Sequence, residues 1–464
     1  MVEFIKYTGF DHAFQFWGPW VWYMLAVYLS LPLIAYFILP YLSTKRTIVG
    51  NKRSASVFAV GDLGHSPRMC YHSRSLLKLD YTVTLCGYVE TAPPDDIIDD
   101  VNIDIRPLSV LKNEHLHLPY LVFLILKVVF QTFQFFQSLF EVRGTDFIII
   151  QNPPSMPLLA IVLLFTKTFS RNTKVVIDWH NLNYTILNLK YHNLNHPLIR
   201  LLRYYEKYLG KRADYHITVT RKMKNFLIEE MGFSPSRISV LYDRPAEQFT
   251  PSMVPSRRLE MLKNHPVFEE VENIENYKIV VSATSFTPDE DMTILLKALK
   301  DYDNSISNRK LPPLFVLVTG KGPLKNHFLK SVESLNFLKN VVVRNAWLSA
   351  EDYPLVLATA DIGVSLHTSS SGIDFPMKIL DYFGCGVPVI ALRFLAIDEV
   401  VKNQQNGLIT EDDTKKEESE QVFDMLAKLF STPELYDIVK EGALLESQSR
   451  WSENWQNKLK KLFV

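Results

Sequence analysis

The sequence predicts an α/β protein with two Rossmann-like domains and a cleft between them, preceded by an N-terminal transmembrane helix. Short apolar segments recur along the chain with helix-length spacers, which is the rhythm of a parallel sheet covered by helices. The chain has 464 residues, enough for two such domains. The 27 residues of Phe16–Leu42 carry no charge, whereas a helix needs only about 20 residues to cross a bilayer.

Charge balance and cysteine content argue against a nucleic-acid-binding protein, a disulfide-rich protein and a zinc protein. The 50 basic and 50 acidic residues balance, so no overall charge draws the chain to nucleic acid or to a bulk anionic partner. The three cysteines, Cys70, Cys86 and Cys385, are odd in number and far apart in the sequence. This pattern favours a reducing compartment over a disulfide framework or a zinc site.

Residues 1–53 are predicted to form a membrane anchor with a basic flank. Tryptophan and tyrosine cluster toward both ends of the uncharged stretch, as they do at membrane interfaces. Lys45, Arg46, Lys52 and Arg53 follow it. Because basic flanks stay on the cytosolic side, the rest of the chain is expected in the cytosol. A cleaved signal peptide is the alternative, but the stretch is too long and lacks a basic leading region.

Pro119–Phe140 is a second apolar segment, with Lys127 as its only charged residue. A full span here would place the two halves of one domain on opposite sides of the bilayer. Periodicity cannot distinguish a buried core helix from one that lies in the membrane interface. We favour a helix that docks the domain onto the cytosolic leaflet and keep the core helix as the alternative.

The first predicted domain, residues 54–247, carries two candidate sites at strand ends. The strand Ser56–Val60 runs into the loop GDLGHSPRM, whose glycines allow close approach to a ligand. Its Asp62 and His65 would lie at the carboxyl end of the sheet, where open α/β folds bind ligands. A later strand runs into residues 178–181 (DWHN), which include His180. At both places the alternative is a set of side chains that cap the next helix. The other predicted strands are Thr82–Tyr88, Phe147–Gln151, Lys174–Ile177, Tyr215–Val219 and Ile238–Leu241.

The second predicted domain, residues 278–440, follows a polar linker at 248–277. It precedes a helix at 441–464 that is expected to pack back on the first domain. A hydroxyl-rich loop leads into a helix beginning at Pro376, and the backbone N–H groups of such a loop favour phosphate. Lys378 adds a positive charge, and Asp381 can accept hydrogen bonds from sugar hydroxyls. The predicted strands are Lys278–Ser282, Phe315–Thr319, Val341–Trp347, Asp361–Leu366 and Val387–Ala391.

A glycine-flanked lysine after the strand Phe315–Thr319 is a second candidate for binding a diphosphate. Lysine is a compact charge and glycine permits close approach, although an ordinary turn is the alternative. The nucleotide-sugar residues predicted in this domain are Lys321, Gly322, His367, Ser369, Ser370, Ser371, Gly372, Asp374, Lys378 and Asp381.

The order of residues from Gly372 to Val389 resembles the donor-sugar motif of GT-B glycosyltransferases. That motif has two glutamates with seven residues between them, whereas Asp374 and Asp381 have six between them. The departure argues against a plain retaining enzyme. The alternative is a strand, loop and helix that bind no ligand.

Longer motifs in the same order resemble those of the fungal chitobiosyldiphosphodolichol β-mannosyltransferases, GT-B enzymes of the endoplasmic reticulum. They are GDLGHSPRM, IIIQNPPS, VIDWHN, LYDRPA, SFTPDEDMTILL, TGKGPL, WLSAEDYPL and HTSSSGIDFPMKILDYFG, and the resemblance covers the chain after residue 54. It implies transfer of mannose from GDP-mannose to dolichyl-diphosphate-linked chitobiose with a β-1,4 linkage, early in N-glycan precursor assembly. It also implies a cytosolic active site at the endoplasmic reticulum membrane, and leaves open a complex with other mannosyltransferases of the pathway.

An α-linked donor that gives a β-linked product implies a single displacement with inversion. The acceptor hydroxyl then needs a general base, for which we rank Asp62 first, then His65, then His180. Lys321, Lys378 and the loop Ser369–Gly372 are expected to stabilise the leaving GDP. The fold is not expected to require a metal for this chemistry, and a requirement for Mg²⁺ stays open. Two alternatives remain: another lipid-linked α-mannosyl- or N-acetylglucosaminyltransferase of the same fold, and a non-catalytic membrane-tethered scaffold.

Overall fold

A computed structural model describes residues 19–43, 52–111, 113, 119–251, 254–334, 339–412 and 415–464. The basic residues Lys45 and Arg46, and the start of the predicted anchor at Phe16, lie outside the described residues. Within these ranges the strands form two sheets, one of seven strands and one of six. The predicted linker at 248–277 falls between them in the sequence. The strands are β1 Arg53–Asp62, β2 Tyr81–Tyr88, β3 Ile103–Leu108, β4 Phe147–Asn152, β5 Lys174–Trp179, β6 Tyr215–Thr218, β7 Ile238–Val240, β8 Lys278–Ala283, β9 Leu314–Thr319, β10 Val341–Ala346, β11 Ile362–Ser365, β12 Val389–Ala391 and β13 Gly407–Ile409.

The helices surround these strands in the alternating order expected of α/β folds. They are α1 Pro19–Ser43, α2 Pro67–Leu77, α3 Asp95–Ile98, α4 Tyr120–Glu141, α5 Leu158–Thr168, α6 Asn183–Tyr191, α7 Pro197–Gly210, α8 Arg221–Glu229, α9 Pro255–Asn264, α10 Met292–Arg309, α11 Lys325–Ser334, α12 Asp352–Leu357, α13 Met377–Gly384, α14 Glu418–Ser431, α15 Pro433–Ser447 and α16 Trp451–Phe463.

The seven-stranded sheet has the order β3-β2-β1-β4-β5-β6-β7, and the six-stranded sheet has the order β10-β9-β8-β11-β12-β13. Every strand pair of the second sheet runs parallel, as predicted. Two strands, β3 and β13, are not predicted from the sequence, and both lie at sheet edges. The strand β3 reads IDIRPL, with two charged residues and a proline, which an edge strand tolerates because its outer side needs no ladder hydrogen bond.

The chain divides into two compact units. Unit 1 comprises residues 1–150, 155–176 and 212–214, and unit 2 comprises residues 151–154, 177–211 and 215–464. The predicted domain boundaries follow the two sheets. The boundary between the compact units instead crosses β4 and β5, so that the first residues of each strand belong to unit 1 and the last to unit 2. The predicted boundaries therefore stay a prediction.

The six-stranded sheet of unit 2 is buried on both faces. In β8, Ile279 and Val281 belong to one apolar cluster while Val280 belongs to the other. The same alternation holds in β9, where all six residues are buried. Successive side chains of a strand point to opposite faces, so the two clusters are the two helix layers that cover the sheet. This burial fixes the carboxyl ends of the strands, from which the candidate site is built.

The predicted C-terminal helix is two helices, α15 and α16, separated at Gln448–Arg450. Trp451 and Trp455 of α16 are both buried, as expected of packing anchors. The Asn454 side chain donates a hydrogen bond of 2.7 Å to the Tyr242 carbonyl, just after β7. The last helix therefore contacts the end of the first sheet, inside unit 2.

The helix α4 in unit 1 has two apolar faces. Phe135 and Leu139 are buried, whereas Ile125, Val129 and Phe133 are 60% or more exposed. The buried residues pack in the core, and the membrane contact predicted for the exposed face stays a prediction. In the described part of the chain, no helix is both long enough and apolar enough to cross a membrane, and the transmembrane helix predicted over Phe16–Leu42 stays a prediction.

Candidate active site

The loop between β11 and α13 turns sharply at two residues with left-handed backbone conformations. Ser369 has φ of 64° and Gly372 has φ of 71°. The Ser369 hydroxyl accepts hydrogen bonds from the N–H groups of Ser371 and Gly372, at 3.2 and 2.9 Å. Two of the amides predicted to bind phosphate are therefore occupied by a hydroxyl of the same loop. A bound anion would have to exchange with that hydroxyl.

Lys378, in the first turn of α13, forms an ion pair with Glu290 and donates a hydrogen bond of 3.1 Å to the Ser285 hydroxyl. The Glu290 side chain is only 5% exposed. Its other oxygen accepts hydrogen bonds of 2.6 Å from the Thr284 hydroxyl and the Ser285 N–H. The charge of Lys378 is thus held at the carboxyl end of β8 by a buried carboxylate.

The loop after β9 lies directly against the same residues. A Cβ at Gly320 would be 1.7 Å from the Thr284 carbonyl oxygen, and a Cβ at Gly322 would be 1.8 Å from that of Ser285. Only glycine fits at these two positions. The predicted diphosphate residues Gly322 and Lys378 therefore both contact Ser285. Lys321 lies between the two glycines.

His367 lies between two carboxylates. Its Nδ1 is 3.3 Å from Asp289 Oδ2, and its Nε2 is 3.6 Å from Asp374 Oδ1. Burial acts to lower the pKa of His367, but the two carboxylates outweigh it and raise the pKa to about 9. The pKa of Asp289 falls to about 2, chiefly through its hydrogen bond with His367. At neutral pH the His367 ring therefore carries a positive charge.

Asn181 connects the end of β5 to this loop. Its side-chain amide donates hydrogen bonds to Asp374 Oδ2 at 2.8 Å and to the Ser370 hydroxyl at 3.2 Å. The other oxygen of Asp374 is buried and, among the described residues, its nearest cationic group is His367 Nε2 at 3.6 Å, which is beyond hydrogen-bond distance. Of the segment 178–181, the sequence analysis chose His180 as a candidate, whereas Asn181 makes these contacts. His180 Nε2 instead lies 3.0 Å from the fully buried Asp178 carboxylate.

The position of Asn181 depends on a buried polar cluster beneath it. The carboxylate oxygen Oε1 of Glu206 accepts hydrogen bonds of 2.9 Å from the side chains of Asn152 and Asn183. Asn152 in turn donates to the Asn181 carbonyl at 3.2 Å. Burial raises the pKa of Glu206 in spite of these donors. The motif IIIQNPPS thus contributes its asparagine to the support of the site.

Asp381 lies next to Tyr353 of α12, whose hydroxyl is 3.3 Å from its Oδ2. Burial raises the pKa of Asp381 to about 7, against the opposing effects of Tyr353 and Lys378. Its predicted contact with sugar hydroxyls stays a prediction.

A second pair of candidate residues lies in unit 1, at the end of β1. His65 Nδ1 is 2.7 Å from Asp62 Oδ2, and the N–H groups of Glu90 and Thr91 donate to Asp62 Oδ1 at 3.1 and 3.0 Å. Burial acts to raise the pKa of Asp62, but these hydrogen bonds outweigh it and lower the pKa to about 2. Asp62 is therefore a weak base with most of its acceptor capacity in use, while the His65 side chain is 72% exposed.

The site includes residues that the sequence analysis did not select, among them Ser285, Asp289, Glu290 and Asn181. The first three lie in the motif SFTPDEDMTILL, which follows a predicted strand and is one of the motifs that carry the family resemblance. Among the residues with described positions, no group of three or more histidine, cysteine, aspartate or glutamate side chains is arranged to hold a metal ion.

Comparison with known proteins places both halves of the chain among glycosyltransferases. Residues 65–243 match the family described as Glycosyltransferase Family 4, and residues 265–443 match Glycosyl transferases group 1. The chain is 56% identical to the chitobiosyldiphosphodolichol beta-mannosyltransferase of Debaryomyces hansenii, over 99% of this chain and 98% of that one. It is 35% identical to the mouse protein of the same name, over 88% of each.

Solved structures share the fold at low sequence identity. Anabaena Alr3699/HepE, solved in complex with UDP and glucose, is 14% identical, with a TM-score of 0.63 over 89% of this chain and 99% of that one. Sucrose-phosphate synthase from Thermosynechococcus elongatus is also 14% identical, with a TM-score of 0.64 over 89% and 98%. The two parallel-sheet domains are those of a GT-B glycosyltransferase.

Proposed function

Because the chain belongs to the chitobiosyldiphosphodolichol beta-mannosyltransferases, we propose that it moves mannose from GDP-mannose to the chitobiose of dolichyl diphosphate, forming a β-1,4 linkage. The observation that carries the proposal is the full-length identity to relatives of that name from yeasts to mouse. Membership in this family makes the chain a glycosyltransferase enzyme, and the proposal concerns its donor, acceptor and mechanism.

The donor diphosphate is proposed to bind across the ends of β8, β9 and β11. Lys378 and the Ser285 hydroxyl offer donors there, Lys321 adds a second ammonium, and Gly322 leaves room for close approach. A diphosphate that displaces Glu290 from Lys378 would gain a charge-assisted hydrogen bond. These groups would stabilise the charge that develops on GDP as the bond from mannose C1 to the phosphate oxygen breaks.

The acceptor hydroxyl is proposed to lose its proton to His65. An ionised carboxylate only accepts hydrogen bonds, so Asp62 accepts one from the N–H at His65 Nδ1. The proton stays on Nδ1, which leaves the lone pair of Nε2 to act as the base. The acceptor oxygen then forms a bond to mannose C1 as the GDP oxygen leaves with the bonding electrons, which inverts the anomeric centre. This assignment makes Asp62 a positioning residue and moves His65 ahead of it as the base. His180, paired with Asp178, is the second candidate.

The enzyme is further proposed to act at the cytosolic face of the endoplasmic reticulum membrane. A dolichyl acceptor is a lipid, and the uncharged stretch Phe16–Leu42 suits a single-pass anchor. In unit 1, α1 lies against α5, and α5 packs against α4. The exposed apolar side chains Ile125, Val129 and Phe133 of α4 are spaced on one helical face. We propose that this face rests on the cytosolic leaflet.

One assay tests the reaction. The full-length protein in detergent would be incubated with radiolabelled GDP-mannose and chitobiosyl diphosphate on a polyprenyl lipid, and the product digested with α- and β-mannosidase. Release of label by β-mannosidase alone is expected. Release by α-mannosidase, or consumption of UDP-N-acetylglucosamine in a parallel incubation, would favour another lipid-linked glycosyltransferase, and no transfer would favour a non-catalytic scaffold. Running the reaction with and without EDTA would establish any need for Mg²⁺.

A further inference from the structure

An exposed tryptophan occupies the carboxyl edge of the second sheet, beyond the residues that can bind phosphate. Trp347 follows β10 directly, and its side chain is 57% exposed. The chain on both sides is fixed: the Asn345 side chain donates a hydrogen bond of 2.8 Å to the Val318 carbonyl, and Leu348 is buried. The indole is thus a large apolar ring that a rigid strand end presents to solvent.

One face of this ring already binds a cation. The ammonium nitrogen of Lys321 lies 3.8 Å from the centroid of the Trp347 ring. Lys321 follows the adjacent strand, β9, so the contact joins the ends of two neighbouring strands. The Trp347 ring is therefore continuous with the loop Gly320–Gly322, which packs on Ser285 next to Lys378.

The spacing of the strands leaves room for a nucleoside between Trp347 and the residues that can bind phosphate. From β10 through β9 and β8 to β11 there are three strand intervals. At about 4.8 Å each, the ends of β10 and β11 are about 14 Å apart. Two of these intervals, about 10 Å, separate the end of β10 from the end of β8, which Ser285 follows. A nucleoside therefore has room between Trp347 and the residues that can bind phosphate, along a line that crosses the strand ends.

The positions of the charged and polar side chains fix the direction in which the donor would lie across the strand ends. Lys378 and Ser285 lie at the ends of β8 and β11, where a diphosphate would bind. The loop after β11 contacts Asn181 through Ser370 and Asp374, and these polar side chains suit sugar hydroxyls. If the sugar lies on that side of the diphosphate, the nucleobase must lie on the other, toward β9 and β10. Trp347 is the exposed aromatic side chain at that position.

We propose that Trp347 is the nucleobase-stacking residue of the donor site, a role that rests on the proposed GDP-mannose reaction and extends it to base recognition. A purine stacks on an indole through dispersion and the favourable arrangement of the two ring systems, and such contacts in nucleic-acid-binding proteins change affinity from several-fold to more than a hundredfold. Lys321 lies beside the stacked base, where its ammonium can also reach the diphosphate.

Calorimetric titration of the full-length protein in detergent with GDP and with inorganic pyrophosphate tests the proposal. Trp347→Ala is expected to weaken GDP binding about tenfold and to leave pyrophosphate binding unchanged. Trp347→Phe, which keeps an aromatic ring, should retain most of the GDP affinity. Leu445→Ala removes an equally exposed apolar side chain on α15 and should change neither affinity.

The possible failures are distinguishable. Wild-type GDP affinity in Trp347→Ala would overturn the proposal, as would an equal loss of GDP and pyrophosphate affinity, because the residue would then support the phosphate loop alone. If the wild-type protein bound UDP in place of GDP and Trp347→Ala weakened that binding, the stacking role would stand and the proposed donor would be wrong. If the wild-type protein bound neither nucleotide, both proposals would fail.

Discussion

Replacing Asp62 by asparagine tests the proposed base. The two amides of Glu90 and Thr91 can still donate to the asparagine oxygen, so the loop should keep its conformation. The side-chain nitrogen then faces His65 Nδ1, only 2.7 Å from the present carboxylate oxygen. Because that nitrogen is a donor, His65 must accept at Nδ1 and carry its proton on Nε2. The imidazole would be intact but in the tautomer that cannot take a proton from the acceptor.

The expected loss follows from the value of general base catalysis. A positioned base contributes about 10²- to 10⁴-fold to a rate, so Asp62→Asn should lower kcat by that factor. Initial rates of mannose transfer and calorimetric GDP binding would be measured side by side, and GDP affinity should not change. Asp104→Asn, the same replacement at an exposed carboxylate paired with Arg106, is the matched control.

A double variant separates the two possible bases. If Asp62 acts through His65, the variant carrying both Asp62→Asn and His65→Ala should be no slower than His65→Ala alone, since groups that act as a unit are not additive. If His65→Ala keeps normal activity while Asp62→Asn does not, the carboxylate is the base after all. Retention of more than about a tenth of wild-type kcat by Asp62→Asn would refute the dyad.

Three further outcomes are expected for residues of unit 2. Gly322→Ala places a Cβ 1.8 Å from the Ser285 carbonyl, so the loop must move, and GDP affinity measured by calorimetry should fall at least tenfold, whereas unchanged affinity would show that this loop does not bind the nucleotide. Asn181→Ala removes the donors to Ser370 and Asp374 and should lower kcat/KM about tenfold, whereas an unchanged value would show that Asp374 needs no such support. The pKa of His367 is raised from 6.5 to about 9, so its stabilisation is complete below pH 6.5 and is lost as the pH rises through about 9. The wild-type Tm should fall over that interval more steeply than that of His367→Asn, and parallel curves would exclude the charged pairing.

The regular part of the fold could be predicted because buried parallel strands are continuous apolar runs. Residues such as those of β9, all of them buried, carry that signal without ambiguity. The strand β3 does not, since its charged residues and Pro107 are compatible only with an edge position, and edge positions are known only once the sheet is assembled. The three residues of β13 are too few for any period to be visible.

Two of the residues predicted for the candidate site lie together in the structure, but the contacts around them could not be predicted from the sequence. Glycines and lysines after predicted strands indicated where an anion would bind, and Gly322 and Lys378 do contact the same residue, Ser285. The ion pair between Glu290 and Lys378 joins two segments that are 88 residues apart in the sequence, so neither segment alone predicts it. The Ser369 hydroxyl accepts hydrogen bonds from two of the loop amides. These bonds depend on a backbone turn that the composition of the loop does not specify.

The buried carboxylate of Glu290 has a consequence for product release. A phosphate group that binds Lys378 gains only the difference between its own attraction for the ammonium and that of the resident carboxylate. If GDP binds Lys378 as proposed, the same carboxylate would take the ammonium back as GDP departs. Glu290 would then compete with the spent nucleotide for Lys378, limit how tightly GDP is retained, and leave the site ready for the next donor.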